Sequence, residues 1–373
     1  MLFTSMPTGV SAEDLHQHNL CADSGHANCA HLPHKYDPFP AGDANLNVIT
    51  SDKNYYLTDD LTDDTLINKY IFVDGATVNL CLNGHTISTK GFKVYNNGVL
   101  NICDCKTGGC ITNTLYTEGV VGAGTNGKLN IYSGKFQGQK GGGISTGENS
   151  VVNIYGGEIT SAGADCIWLR TGSTLSIYGG TIESTTDGKD GIYTFGSTTI
   201  NMNGGKVTGK KYGIYLDSGN NTVNIKDGAV IGRDDAAVYA KTGDTLNISG
   251  GEISNQSLEL CVINLGTMNI SGGVFSANMD KGYIRNYGNF GLQGSPTLIN
   301  TYIWLSSDDN ITISGALKNN DKYTVYVNSS LPRTFTSGWD SHMTDKNVSK
   351  YFNSPYDNSK IVYRTNEAVM VYY

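Results

Sequence analysis

The chain has 373 residues, of which 47 are Gly and only 7 Pro; 16% are charged and the formal net charge is −8. Lys and Arg are spread thinly, so no basic stripe is available to neutralise phosphates, and nucleic acid is disfavoured as a partner. No apolar run of about 18 residues offers a membrane span, and no segment keeps the 3.6-residue period of an amphipathic helix, whereas abundant Thr, Val, Ile and Tyr suit strands.

The first twelve residues end in Val10-Ser11-Ala12, with small residues at the two positions a signal peptidase reads. They read either as the tail of a signal peptide or as an ordinary disordered N-terminus. Residues 1–43 form an arm dense in His and Cys. His16, His18, His26, His31 and His34 fall within 19 positions together with Cys21 and Cys29. Zinc uses such ligands at short spacings, so His16, His18, Cys21, Cys29, His31 and His34 are candidate zinc ligands. The alternative is a Cys21–Cys29 disulfide among solvated histidines, natural in an oxidising compartment.

From 44 to 295 a repeat takes over. One phrase, Thr-Leu-Asn-Ile-x-Gly-Gly-x-Ile, recurs as VVNIYGGEI at 151–159, TLSIYGGTI at 174–182, TLNISGGEI at 245–253 and TMNISGGVF at 267–275. Its central polar residue is Asn79, Asn101, Asn130, Asn153, Ser176, Asn201, Asn224, Asn247 and Asn269. A second phrase, Gly-Ile-Tyr-x-x-x-Gly, alternates with it, anchored at Val94, Ile144, Ile167, Ile192, Ile214, Val238, Val262 and Ile284. Two strands and a weaker third around the Ile of GGxI, closed by three bends, predict an all-β fold. It is a single-stranded right-handed parallel β-helix of about nine or ten coils, in which each coil buries its apolar side only by stacking on its neighbours. Side chains alternate in and out, so Leu246 and Ile248 face in while Asn247 faces out. A β-propeller or sandwich is the competing fold, but it needs longer repeats or antiparallel hairpins. Between Ala41 and Ser295 there is no proline, as continuous ladders require.

Several residues in the repeat carry candidate chemistry. Cys81 and Cys103 follow the central Asn by two on successive coils, near enough for a disulfide. Cys105 and Cys110 could close the loop between them, whereas Cys166 and Cys261 lie four coils apart and read as buried thiols. Tyr95, Trp168, Tyr193, Tyr215 and Tyr239 line up after the second phrase as an outward aromatic column, and Tyr132, Tyr155 and Tyr178 form another. Exposed rings in a row suit stacking on sugar rings; the alternative is mutual packing that stabilises the strands. Asp165, Asp190, Asp217, Asp234 and Asp235, with Arg170, Lys189, Arg233 and Lys241, lie near the first column. Asp165 and Asp190 precede their Ile anchors by two on adjacent coils and could act as an acid and base. Structural readings are bend-capping Asp residues and surface pairs such as Asp217 with Lys241. Residues 104–128 are the one long insertion. Residues 296–373 lose the period and are expected to cap the stack, ending in the hairpin IVYRT-NE-AVMVYY.

The phrases HQHNLCADSGHANCAHLPH at 16–34, NYYLTDDL at 54–61, VNLCLNGHTI at 78–87, VLNICDC at 99–105 and ITISGAL at 311–317 carry a resemblance over nearly the whole chain. It resembles the extracellular right-handed β-helix surface proteins of Gram-positive gut bacteria, a largely uncharacterised family. The resemblance implies a secreted or surface-displayed solenoid and brings no catalytic residues with it. The expected function is adhesin-like or glycan-binding, with an extracellular glycan or cell-surface polymer as partner. The alternative is a polysaccharide lyase or glycoside hydrolase using Asp165, Asp190, Asp217, Asp235, Arg170 and Lys241. A groove walled by long loops would favour the enzyme and smooth short bends the binder.

Overall fold

The computed structural model describes residues 17–18, 34–40 and 47–373, except 63–65, 67, 114, 116, 258, 279–280 and 319–321. Its strands stack in parallel into a β-solenoid of about 12 turns. Each full coil contributes three strands. In one coil these are Val238–Ala240, Thr245–Ile248 and Glu252–Asn255, paired onto Leu260–Asn264, Thr267–Ile270 and Val274–Ala277 of the next. The Asn-Ile-x-Gly-Gly phrase makes the first ladder and, after the bend, the second; the Gly-Ile-Tyr phrase makes a third, a 14-stranded sheet. The bend explains the glycine pair. Gly251 has φ +77°, and a Cβ there would lie 2.9 Å from the Gly228 carbonyl of the coil before it, so both the angle and the space demand glycine.

Alternation places the core where the sequence indicates. Leu100, Leu129, Val152, Leu175, Ile200, Val223, Leu246 and Met268 are register partners in turn, and all are fully buried. Burial of each such side chain contributes roughly 1.5–3 kcal/mol. The intervening asparagines face outward and bond to one another along the axis. Asn79, Asn101, Asn130 and Asn153 each donate to the Asn before, at 2.6–2.8 Å. Ser176 interrupts, and a second run follows through Asn201, Asn224, Asn247 and Asn269 at 2.9 Å.

The stack is longer at both ends than the repeat suggests. Asp37–Pro38 pairs with Lys53–Tyr56, inside the boundary expected for the arm. Pro38 sits in a terminal strand, where an absent donor is tolerated. At the other end, parallel pairing continues through Thr301–Leu305 and Tyr323–Val327 to Phe352–Asn353. The segment 296–373 was expected wholly as a cap, because it lacks the Gly-Gly bends. Its inward residues Ile303, Val325, Ile311 and Ile313 nonetheless stay buried in the same columns. Closure comes from the short helix Trp339–His342 and an antiparallel hairpin, Ser359–Arg364 with Glu367–Tyr372. Its Glu367 carboxylate accepts from Thr336 Oγ1 at 2.9 Å, and its Ala368 carbonyl accepts from the Phe335 amide at 3.1 Å.

Cys81 and Cys103 are register partners, as expected, but the expected bond between them is not formed. The described cysteines Cys81, Cys103, Cys105, Cys110, Cys166 and Cys261 are all free thiols. Cys81 Sγ instead donates to Cys105 Sγ at 3.5 Å. Hydrogen bonding from Cys103 and burial push the Cys81 thiol up to about 12. Cys166 and Cys261 are fully buried, as read from the sequence. Of the candidate zinc ligands, His16, Cys21, Cys29 and His31 lie outside the described residues, while His18 and His34 are backbone partners in a short antiparallel pair.

Candidate functional site

The outward column of the third ladder carries the candidate site. In register order it runs Phe72, Lys93, Gly122, Ser145, Trp168, Tyr193, Tyr215, Tyr239. Trp168, Tyr193, Tyr215 and Tyr239 therefore stand on four successive coils, as the sequence suggests. Tyr95 does not join them. Phe92, and not Val94, is the partner of Val121 and through it of Ile144, so the column passes through Lys93. The Phe92-Lys93-Val94-Tyr95 run alternates, and a slip by two residues keeps every side chain on its face, so alternation alone does not fix the phase. Tyr95 instead lies across Gly124, where a Cβ would meet its ring at 2.0 Å.

The four aromatic residues are not a flat platform. Trp168 meets Tyr193 edge-on at 5.9 Å, Tyr193 is tilted against Tyr215 at 5.7 Å, and Tyr215 meets Tyr239 edge-on at 5.4 Å. Tyr212, buried and unforeseen, stacks on Tyr215 at 5.1 Å. Tyr193 Oη donates to Asp217 at 2.7 Å, and Lys241 Nζ donates to the other oxygen at 2.6 Å while lying 5.1 Å from the Tyr215 ring. The bond from Lys241 holds the Asp217 carboxyl below its usual range, and Asp217 raises Lys241 in return. These rings and charges satisfy one another. Trp168, at 45% exposure, is the member whose ring faces solvent, with the Arg170 guanidinium 5.6 Å above it. The second row, Tyr132, Tyr155 and Tyr178, is stacked nearly parallel at 5.0 Å.

The carboxylates near this face serve the backbone. Asp165 accepts the Asp190 amide at 2.9 Å, and Asp190 accepts the Tyr212 amide at 3.1 Å, each capping the next coil. Burial pushes Asp190 up to about 7. Asp235 accepts the amide of Ala236 at 2.9 Å, and Asp234 pairs with Lys210 at 2.8 Å. Asp165 lies 4.0 Å from Lys189. The expected acid and base, Asp165 and Asp190, are thus on adjacent coils, but both are turned to amides.

A cavity of about 680 Å³ opens beside Trp168, lined among others by Lys93, Ser145, Asp165, Arg170, Lys189 and Tyr193. A second, of about 460 Å³, adjoins it through Lys93, Tyr95, Ser145, Thr146 and Arg170. The long insertion supplies one wall, with Thr117, Glu118 and Gly119. Lys93 lies on the floor, 8% exposed. Its ammonium donates to Ser145 Oγ, two coils away, across the bare backbone of Gly122. A Cβ on Gly122 would come within 3.0 Å of the Lys93 nitrogen. Burial draws the Lys93 ammonium down to about 8. Ser145 takes the Tyr position of the Gly-Ile-Tyr phrase, which marks its column but not its pairing, and Lys93 was missed because it precedes the anchor Val94 that sequence reading aligned with Ile144. Comparison with family models, curated proteins and solved structures finds no match. Among the described residues no helix is long and apolar enough to cross a membrane.

Proposed function

We propose that the protein is an extracellular β-helix that binds a carbohydrate polymer in the groove beside Trp168. The observation that carries this reading is the exposed Trp168 ring at the edge of a cavity lined by Arg170, Lys93 and Lys189. An aromatic face takes the apolar side of a sugar ring, and the cations suit a sugar bearing a carboxylate or sulfate. The parallel coils continue the outward face beyond the groove, so a polymer could lie along the axis. The resemblance to surface β-helix proteins supports the extracellular setting.

A glycan array with the purified chain, followed by titration of the best polymer, tests this. Trp168→Ala is expected to lower affinity at least ~tenfold, with little change in melting temperature. Tyr193→Ser is expected to act mainly on the fold, because Tyr193 is held by its neighbours and by Asp217: stability falls by about 1–2 kcal/mol, and affinity falls less than in Trp168→Ala. If no acidic or neutral glycan binds the intact chain, the reading fails.

A further inference from the structure

We propose that Ser145 and Lys93 form a nucleophile–base pair that removes ester-linked acyl groups from an alcohol bound in the groove. A serine hydroxyl becomes a nucleophile when a base accepts its proton, and a desolvated lysine can be that base. Three features meet here. The Lys93 nitrogen is hydrogen-bonded to Ser145 Oγ. It is buried, and among the described residues no carboxylate lies within ion-pairing distance to hold its proton. Both side chains line the floor of an open cavity of about 680 Å³, where a substrate can reach the hydroxyl. A structural lysine would be expected to snorkel to water or pair with an acid; Lys93 does neither.

The step balances without a cofactor. Neutral Lys93 takes the Ser145 proton as Oγ attacks the acyl carbon, forming the new C–O bond. The cation available to the oxyanion is Arg170, which lines the same cavities and has no carboxylate within ion-pairing distance among the described residues. Collapse breaks the ester C–O bond, and Lys93 returns the proton to the departing alcohol oxygen. Water then attacks the acyl-serine, Lys93 again takes a proton, and the acid is released with Ser145 restored. The net reaction is ester plus water to acid plus alcohol. Lys93 must be neutral to begin, and burial brings its ammonium to about 8, so a useful fraction is neutral near physiological pH. Glu118, Asp165 and Lys189 also face this cavity, and Asp165 and Lys189 lie 4.0 Å from each other.

The proposal shares its groove with the glycan reading and rests on that reading only for the alcohol half of the ester. The probe is p-nitrophenyl acetate with the full chain. After an acid quench, peptide mass mapping is expected to find acetyl on Ser145. Turnover is expected to rise with pH and level off above about 8, and to fall at least ~100-fold in Ser145→Ala and in Lys93→Arg, each compared while its circular dichroism shows the fold retained. Lys93→Met replaces Lys93→Arg if the larger guanidinium prevents folding. Turnover unchanged in Ser145→Ala, or acetyl found on lysines with none on Ser145, overturns the proposal. A chain that acetylates Ser145 but binds no glycan keeps this proposal and removes the glycan reading. A chain that binds glycan and leaves Ser145 unmodified does the reverse.

Discussion

Lys93 sits in a position that disfavours its own charge. Its ordinary value of 10.5 falls to about 8 in the folded chain. At about 1.36 kcal/mol per pH unit this corresponds to a penalty on the order of 3 kcal/mol. The unfolded chain holds the proton more tightly, so the full penalty applies below pH 8, is relieved between 8 and 10.5, and is gone above. Lys93→Met is therefore expected to raise stability by about 1–3 kcal/mol at pH 7, with the gain fading by pH 10.5. Chemical denaturation across that range measures it; a gain that does not change with pH would show that packing, and not charge burial, is responsible. Single residues were the least legible level in the sequence. The Trp168–Tyr239 column could be read because its members recur at one position of a phrase. Tyr95 was misplaced because a slip by two leaves facing intact, and the pairing of Lys93 with Ser145 was hidden by the same slip and by Gly122 between them, which has no side chain to recognise.

At the level of the strand, the outward asparagines form a second line of cohesion beside the backbone ladders. Each internal Asn amide donates to one neighbour and accepts from the other, so the bonds align along the axis. Ser176 breaks the line between Asn153 and Asn201, its register partners on either side. Ser176→Asn is expected to join the two runs and raise stability by about 0.5–1.5 kcal/mol, measured by urea unfolding. No gain would mean that the half-buried amides of Asn153 and Asn201 are already satisfied without a neighbour at 176. The strands themselves, their inward residues and the outward Asn were all legible, because coil spacing and alternation are properties of the sequence. The phase of the third strand at Lys93 was not, since the insertion at 104–128 breaks the spacing just where the phase must be carried across.

The whole molecule is a stack with two ends, and its coils depend on their neighbours for burial. The central coils were legible from their repeat, whereas the outer ones were not: once the Gly-Gly bends disappear, only the columns of buried side chains show that the stack continues. The closing hairpin Ser359–Arg364 with Glu367–Tyr372 lies against Phe335 and Trp339, both fully buried. Deleting residues 354–373 is expected to expose these rings and the strand edge beside them, giving concentration-dependent association in size-exclusion chromatography. A monomeric, equally stable truncation would show that the last coil closes itself.

The contact between Lys93 and Ser145 also bears on how such a chain can lengthen. It joins residues 52 positions apart and spans three coils, one supplying the base, one the gap at Gly122 and one the hydroxyl. Where contacts reach only the next coil, a coil could be duplicated or lost and its neighbours would close over the change; the surface pair Arg233 with Glu183 is another contact that skips a coil. Between Lys93 and Ser145 an added coil would part the two groups, and a lost one would remove the gap or a partner. Growth of the solenoid by whole coils is therefore closed within this stretch, so relatives of different length would share these three coils and differ in how many lie outside them.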